Sequence, residues 1–427
     1  MLNRKTAPAI TDAVKFHLDL PAHEKVALRN GVDVFLVNMG TLDTLMMNIV
    51  FYAGNCFESD NLVASATNFL LKNGTQAKNA YEINEYFEYY GAYLSRQAGH
   101  ETAELTLHCL NKHVDELLPV VAELIHDSVF PAEELKIFKK NMQQRLEVNL
   151  RKSDFVAGRL IDACLFGKSH PYGRYSSIEE YDALNVEQVR GFYKKYYRQG
   201  RCMIFVAGLL PDNIVEQIEK HFGSLPFAGS ARPDLPEVPM KPAAQKKYHI
   251  VNDPDGVQGA IRIARNFPNR HHPDFQKMQV LNNLFGGFFG SRLMANIRED
   301  KGYTYGIHSY LTNLIQESCL MISTEAGKEV SEATIKEVYL EMDRLRNEPI
   351  PEEELQTTRN FMIGTLLGDL DGPFQVAGRW KSLMLNGLKE DYFYRGVELI
   401  KTITPADLQE LANKYLRPDD FYELVVL

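Results

Sequence analysis

Strict alternation of apolar and polar positions marks one stretch of the chain: Ala103, Leu105, Leu107 and Cys109 are each separated by a polar residue, as a strand with one buried face requires. Residues 25–29 and 32–37 flank Asn30-Gly31, a pair that predicts a two-residue β-hairpin because both positions tolerate a left-handed backbone. A largely apolar run over residues 45–52 supplies a further strand. Leu117, Leu118, Val121, Leu124 and Ile125 instead recur at helical spacing. So do Phe275, Met278, Leu281, Leu284 and Phe285, which follow Pro273, a residue suited to a first helical turn. Gly286-Gly287 should break that helix. Ser291 is placed to cap a short second helix through Arg298, with Gly302 as its stop.

These elements repeat. Residues 184–198 resemble residues 403–417, about 220 positions further on, and each stretch reads as a capped helix ending in an aromatic and basic cluster before an apolar strand. Phe130-Pro131 and Ile350-Pro351 recur at nearly the same offset, each followed one residue later by Glu-Glu-Leu. Between the copies, Pro233, Pro236, Pro239 and Pro242 punctuate a segment with little to bury, which reads as a linker. The organisation expected is a domain over 1–225, a Pro-rich linker over 226–244 and a second domain over 245–427. Strands grouped before helices in each half predict an α+β fold of two homologous domains, each a largely antiparallel sheet packed with helices.

Composition narrows the function. With 47 Lys and Arg against 56 Asp and Glu, the net charge of −9 offers no sequence-wide field for nucleic acid or an anionic membrane. The 5 cysteines are scattered and form no C-x-x-C pair, so they read as small buried apolar residues. Residues 1–8 carry charges without a following apolar run, and no stretch approaches the length of a membrane span. A cytoplasmic location is therefore expected.

Residues 284–306, reading LFGGFFGSRLMANIREDKGYTYG, make the chain similar to the pitrilysin or insulinase-type zinc metallopeptidases, particularly the short two-domain form that includes the mitochondrial processing peptidase. His170-Pro171-Tyr172-Gly173 also resembles a stretch of that family's first domain. The resemblance covers essentially the whole chain. It implies an H-x-x-E-H helix, whose two histidines hold zinc while the glutamate acts as general base. Here the corresponding residues 62–75 read LVASATNFLLKNGT, with Ser65 and Phe69 at the histidine positions and Asn68 at the glutamate. Phenylalanine offers no lone pair, and neither Asn nor Ser can serve as a carboxylate base. The family's further glutamate ligand falls near Gln143-Gln144-Arg145-Leu146, with Glu147 adjacent.

No replacement constellation emerges from the sequence. His100-Glu101 leads into the alternating strand with one histidine only and reads as a solvated turn. Gly286-Gly287-x-x-Gly290 lacks the Lys and Ser or Thr of a phosphate loop.

The family pattern does retain an arginine and a tyrosine in the second domain, matching Arg298 and Tyr305, which the resemblance assigns to substrate binding and oxyanion stabilisation. Ordinary structural roles exist for both: an Arg near a helix C-terminus suits the macrodipole, and a strand Tyr commonly packs. The combined reading is a zinc-less subunit, catalytically inactive alone and binding no cofactor itself. It would pair with a zinc-bearing homologue and act on peptides, with a homodimer possible when isolated. The alternative is a non-enzymatic scaffold or peptide-binding subunit, like the core proteins of the respiratory bc complex.

Overall fold

The computed structural model describes residues 12–427, so the opening stretch, expected to carry no secretory signal, lies outside the described residues. The first sheet is built from β1 (Glu24–Ala27), β2 (Asp33–Asn38), β3 (Thr44–Phe51), β4 (Tyr93–Ala98), β5 (Ala103–Leu110) and β6 (Cys202–Gly208). Their order is β1-β2-β6-β3-β5-β4. Only the β2–β6 pairing is parallel. Every residue of the central strand β6 is buried, as a strand covered on both faces demands. β5 keeps the alternation read from its sequence, with Ala103, Leu105, Leu107 and Cys109 buried.

The helices beside this sheet are α1 (Val63–Leu70), α2 (Ala80–Tyr89), α3 (Val114–His126), α4 (Ala132–Leu150) and α5 (Ser153–Phe166). Leu117, Leu118, Val121, Leu124 and Ile125 of α3 join the main core, together with Val63, Ala66 and Leu70 of α1. A smaller core on Phe35, Val50, Tyr52, Met203 and Phe205 receives Met384 and Leu385. These last two belong to the helix Pro373–Leu385, which comes from far along the sequence.

A second sheet has five strands: β7 (Lys247–Ile250), β8 (Gln258–Phe267), β9 (Thr304–Asn313), β10 (Ser318–Gly327) and β11 (Tyr422–Val426). β11 runs parallel to β7 and antiparallel to β8, while β9 and β10 form an antiparallel hairpin. Helices and mixed, mainly antiparallel sheets thus give the α+β fold anticipated from the sequence.

By compactness the chain divides into two units. One comprises Pro21–Ala264, Gly372–Leu385 and Tyr422–Leu427; the other comprises Arg265–Asp371 and Asn386–Phe421 with a short stretch ending at Leu20.

The repeated segments share local structure. Helices Val186–Tyr193 and Pro405–Tyr415 each start at a capping box, built on Asn185 with Gln188 and on Thr404 with Asp407. Each precedes an apolar strand, β6 or β11. Pro131 and Pro351 occupy the N-cap positions of α4 and of the helix Glu352–Gly368, and the leucines four residues on, Leu135 and Leu355, are buried. Residues 226–244 carry no helix or strand.

Two local expectations need correction. The β1–β2 turn is wider than two residues: Gly31 N donates to the Leu28 carbonyl, Leu28 N donates to the Val32 carbonyl, and Gly31 alone takes a left-handed backbone at φ 80°. Asn30 is diverted into tertiary bonds, its amide donating to the carbonyls of Phe222 and Leu225. The turn before β5 is not solvated either, because Glu101 is buried and its carboxylate accepts a hydrogen bond from the Tyr172 hydroxyl.

Candidate functional site

Helix α1 carries the three degenerate motif positions, and charge holds it at both ends. It has no side-chain N-cap of its own; Leu62 precedes it with a left-handed backbone at φ 75°. Glu58 takes over, its carboxylate accepting from Ala64 N at 2.7 Å and pairing with Arg174 at 2.7 Å. Burial pushes the Glu58 carboxyl up to about 7 against the opposing pull of the Ala64 amide and Arg174. At the other end the Arg96 guanidinium, from β4, donates to the Phe69 carbonyl and to Asn73 Oδ1. Negative charge at the N-terminus and positive charge at the C-terminus both suit the helix dipole.

Between these clamps the motif side chains have other partners. Ser65 is exposed and donates to the Leu62 carbonyl at 3.0 Å. Asn68 is buried and donates its amide to the Glu104 carbonyl at 3.3 Å. The Phe69 ring lies 5.0 Å from that of Phe138 on α4, with the Arg96 guanidinium 4.5 Å from its centroid. Leu146 is buried. A divalent cation does not fit this set: the second histidine position presents an aromatic face already covered by a guanidinium, a like charge in a partly desolvated setting. Among the described residues no group of three or more His, Cys, Asp or Glu is arranged to hold a metal ion.

The second locus lies in the other compact unit. The stripe Phe275, Met278, Leu281, Leu284 and Phe285 is buried, and the helical backbone fails at Gly286, as the Gly-Gly pair foretold. The following helix extends past Arg298 to Asp300 and is π-wound over Met294–Asp300. Ser291 does not cap it by its side chain; the hydroxyl is buried with no hydrogen-bond partner among the described residues, while the Ser291 carbonyl accepts from Ala295 N. Gly302, at φ 66°, reverses the chain and delivers Tyr305 to β9.

Arg298 is held in place before any ligand arrives. Its Nε donates to the Tyr305 carbonyl at 2.9 Å, Nη1 pairs with Glu299, and the guanidinium carbon sits 4.9 Å from the Phe289 ring centroid. Among the described residues Nη2 makes no hydrogen bond. Tyr305 is 90% exposed, which removes core packing as the reason for an aromatic at this position. The locus therefore displays a fixed guanidinium edge and a free phenol, both donors suited to a carbonyl oxygen or a developing oxyanion.

Residues 183–362 match the model of the family described as the peptidase M16 inactive domain. The matched segment is thus similar to the inactive domain of M16 peptidases. A Bacillus subtilis protein named as an uncharacterized zinc protease is 24% identical over 352 residues, covering 82% of this chain and 84% of that protein. The crystal structure of an M16 inactive domain from Pseudomonas fluorescens superposes with a TM-score of 0.85 at 24% identity, covering 95% of this chain and 98% of the other. A Helicobacter pylori protease gives 0.86 at 17% identity, over 96% of this chain and 100% of its own. At these identities the two structures establish the M16 fold alone.

Arg96, Glu58, Phe289 and Glu299 are site residues that sequence reasoning missed. Arg96 is 27 positions from Phe69 and carries no motif, so only the placement of β4 beside α1 exposes its role.

Proposed function

We propose that this chain is the zinc-less subunit of a two-chain M16 metalloendopeptidase, acting in the cytoplasm on unfolded peptides. A homologous partner carrying H-x-x-E-H would supply the metal and its bound water. This chain would supply Arg298, whose free Nη2 orients the peptide carbonyl, and Tyr305, whose hydroxyl donates to the oxyanion of the tetrahedral intermediate. An extended peptide would bind by main-chain hydrogen bonds to an exposed strand edge, giving affinity with little sequence choice. One observation supports the reading: Phe69, which the resemblance aligns with a zinc-ligating histidine, is packed between Phe138 and Arg96, while Tyr305 is exposed beside Arg298.

The test is co-expression with a homologue containing H-x-x-E-H, followed by peptide hydrolysis with each chain alone and with the pair. Activity should require both chains and should vanish with chelator. Arg298→Ala and Tyr305→Phe should each lower turnover of the pair by about 100- to 1000-fold, the range of lost oxyanion donors, without disturbing co-purification. Chelator-resistant hydrolysis by this chain alone would defeat the proposal, and wild-type turnover in both variants would remove the two residues from the mechanism.

A further inference from the structure

Arg96 differs from five other shielded arginines of the molecule. Arg174, Arg262, Arg265, Arg292 and Arg359, whose side chains are at most 18% exposed, each pair with a carboxylate. Arg96 has no carboxylate within ion-pair distance among the described residues. Its bonds go to the Phe69 carbonyl and to Asn73 Oδ1, and the Asn73 amide in turn donates to Glu134 at 2.7 Å.

Lys72, at the C-terminal end of α1, lies close enough for Arg96 to depress its ammonium pKa, although burial is the larger cause and Glu88 opposes both. Burial likewise lowers Arg96, to about 10. Two cations thus share a partly desolvated corner, with no counter-ion in contact among the described residues. A bound anion would relieve both desolvation and mutual repulsion.

The geometry specifies which anion. Nη1 of Arg96 is committed to the Phe69 carbonyl, which leaves Nε and Nη2 as a side-on fork with the spacing of one carboxylate. Glu82, Glu85 and Glu88 on α2, the last of them within electrostatic reach of Lys72, disfavour a polyanion such as nucleic acid. The corner also lies on an edge strand, since among the described residues β4 pairs with β5 alone and ends the sheet order.

We propose that Arg96 and Lys72 form a carboxylate-binding subsite at the β4 edge, beside the position where H-x-x-E-H chains carry a metal ligand, and that it selects extended peptides bearing an acidic side chain or a free C-terminus. A protein cation here does by charge what a metal would do by coordination: it fixes one oxygen-bearing group of the peptide against α1. The inference rests on the peptide-binding reading above.

Fluorescence anisotropy of the full chain tests it. The probes are labelled alanine- and threonine-based peptides of about ten residues, a single Glu or Gln being walked along each, with C-termini free or amidated. At least one acidic peptide should bind about tenfold tighter than its neutral counterpart, the worth of one charge-assisted carboxylate contact. Preference confined to the Glu series assigns the side chain; preference lost on amidation assigns the terminus.

Arg96→Gln should abolish the preference. Because that change also removes a bond to α1, Lys72→Met, which breaks no hydrogen bond of the helix, should reduce the preference about threefold. Equal dissociation constants for acidic and neutral peptides would overturn the subsite while leaving peptide binding intact, as would a preference unchanged in both variants. Failure of every peptide to bind would overturn the subsite and the peptide-binding reading together.

Discussion

The clamp on Phe69 makes a quantitative prediction about α1. Phe69→Leu keeps an apolar side chain but forfeits the ring contact with Phe138, about 0.5–1.5 kcal/mol, and the cation–π contact with Arg96, about 0.5–2 kcal/mol. Arg96→Met keeps the aliphatic stem and loses the same cation–π contact, together with the hydrogen bonds to the Phe69 carbonyl and Asn73, for a total of about 2–4 kcal/mol. The two substitutions share one interaction, so they should not add: the double variant should be less destabilised than the sum of the singles by about 1 kcal/mol. Native-state hydrogen exchange of the α1 amides is the assay, since it reads local opening, and each 1.4 kcal/mol appears as a tenfold faster exchange. Additivity to within about 0.3 kcal/mol would refute the clamp, leaving Arg96 as a helix cap that merely passes over the ring.

Two further outcomes follow from buried groups. Burial raises the Asp162 carboxyl to about 7 against the pull of Arg262, so the folded state holds its proton more tightly than the unfolded chain. Stability should then fall as pH rises from about 4 to about 7. Asp162→Asn should flatten that fall and raise the melting temperature at pH 8 more than at pH 5, by an amount equivalent to roughly 2–4 kcal/mol; equal shifts at both pH values would exclude Asp162 as the cause. Gly208 ends β6 at φ 135°, where an added Cβ would meet the Thr44 carbonyl oxygen at 2.1 Å. Gly208→Ala should therefore cost at least about 2 kcal/mol, seen as a lower urea midpoint for the purified chain, and an unchanged midpoint would show that β3 yields without penalty.

Much of the local structure was legible because its causes lie within a few residues. The alternation of β5, the stripe of α3, the break at Gly286, the reversal at Gly302 and the paired helix starts at Asn185 and Thr404 depend on side-chain period, backbone freedom and nearby hydrogen bonds. The unfitness of Ser65, Asn68 and Phe69 for zinc was equally readable, since a phenyl ring has no lone pair in any fold.

Tertiary structure decided what those positions do instead. It set Arg96 over Phe69, brought Glu58 to the start of α1, drew Asn30 out of a tight hairpin to the carbonyls of Phe222 and Leu225, and placed Met384 and Leu385 against the small core that includes Phe35 and Phe205. It also left Tyr305 in solvent where a strand tyrosine would ordinarily pack. Periodicity and capping follow from neighbours along the chain, whereas the partner of a buried charge is chosen by which distant strand the sheet order lays beside it; that choice leaves no spacing in the sequence to read.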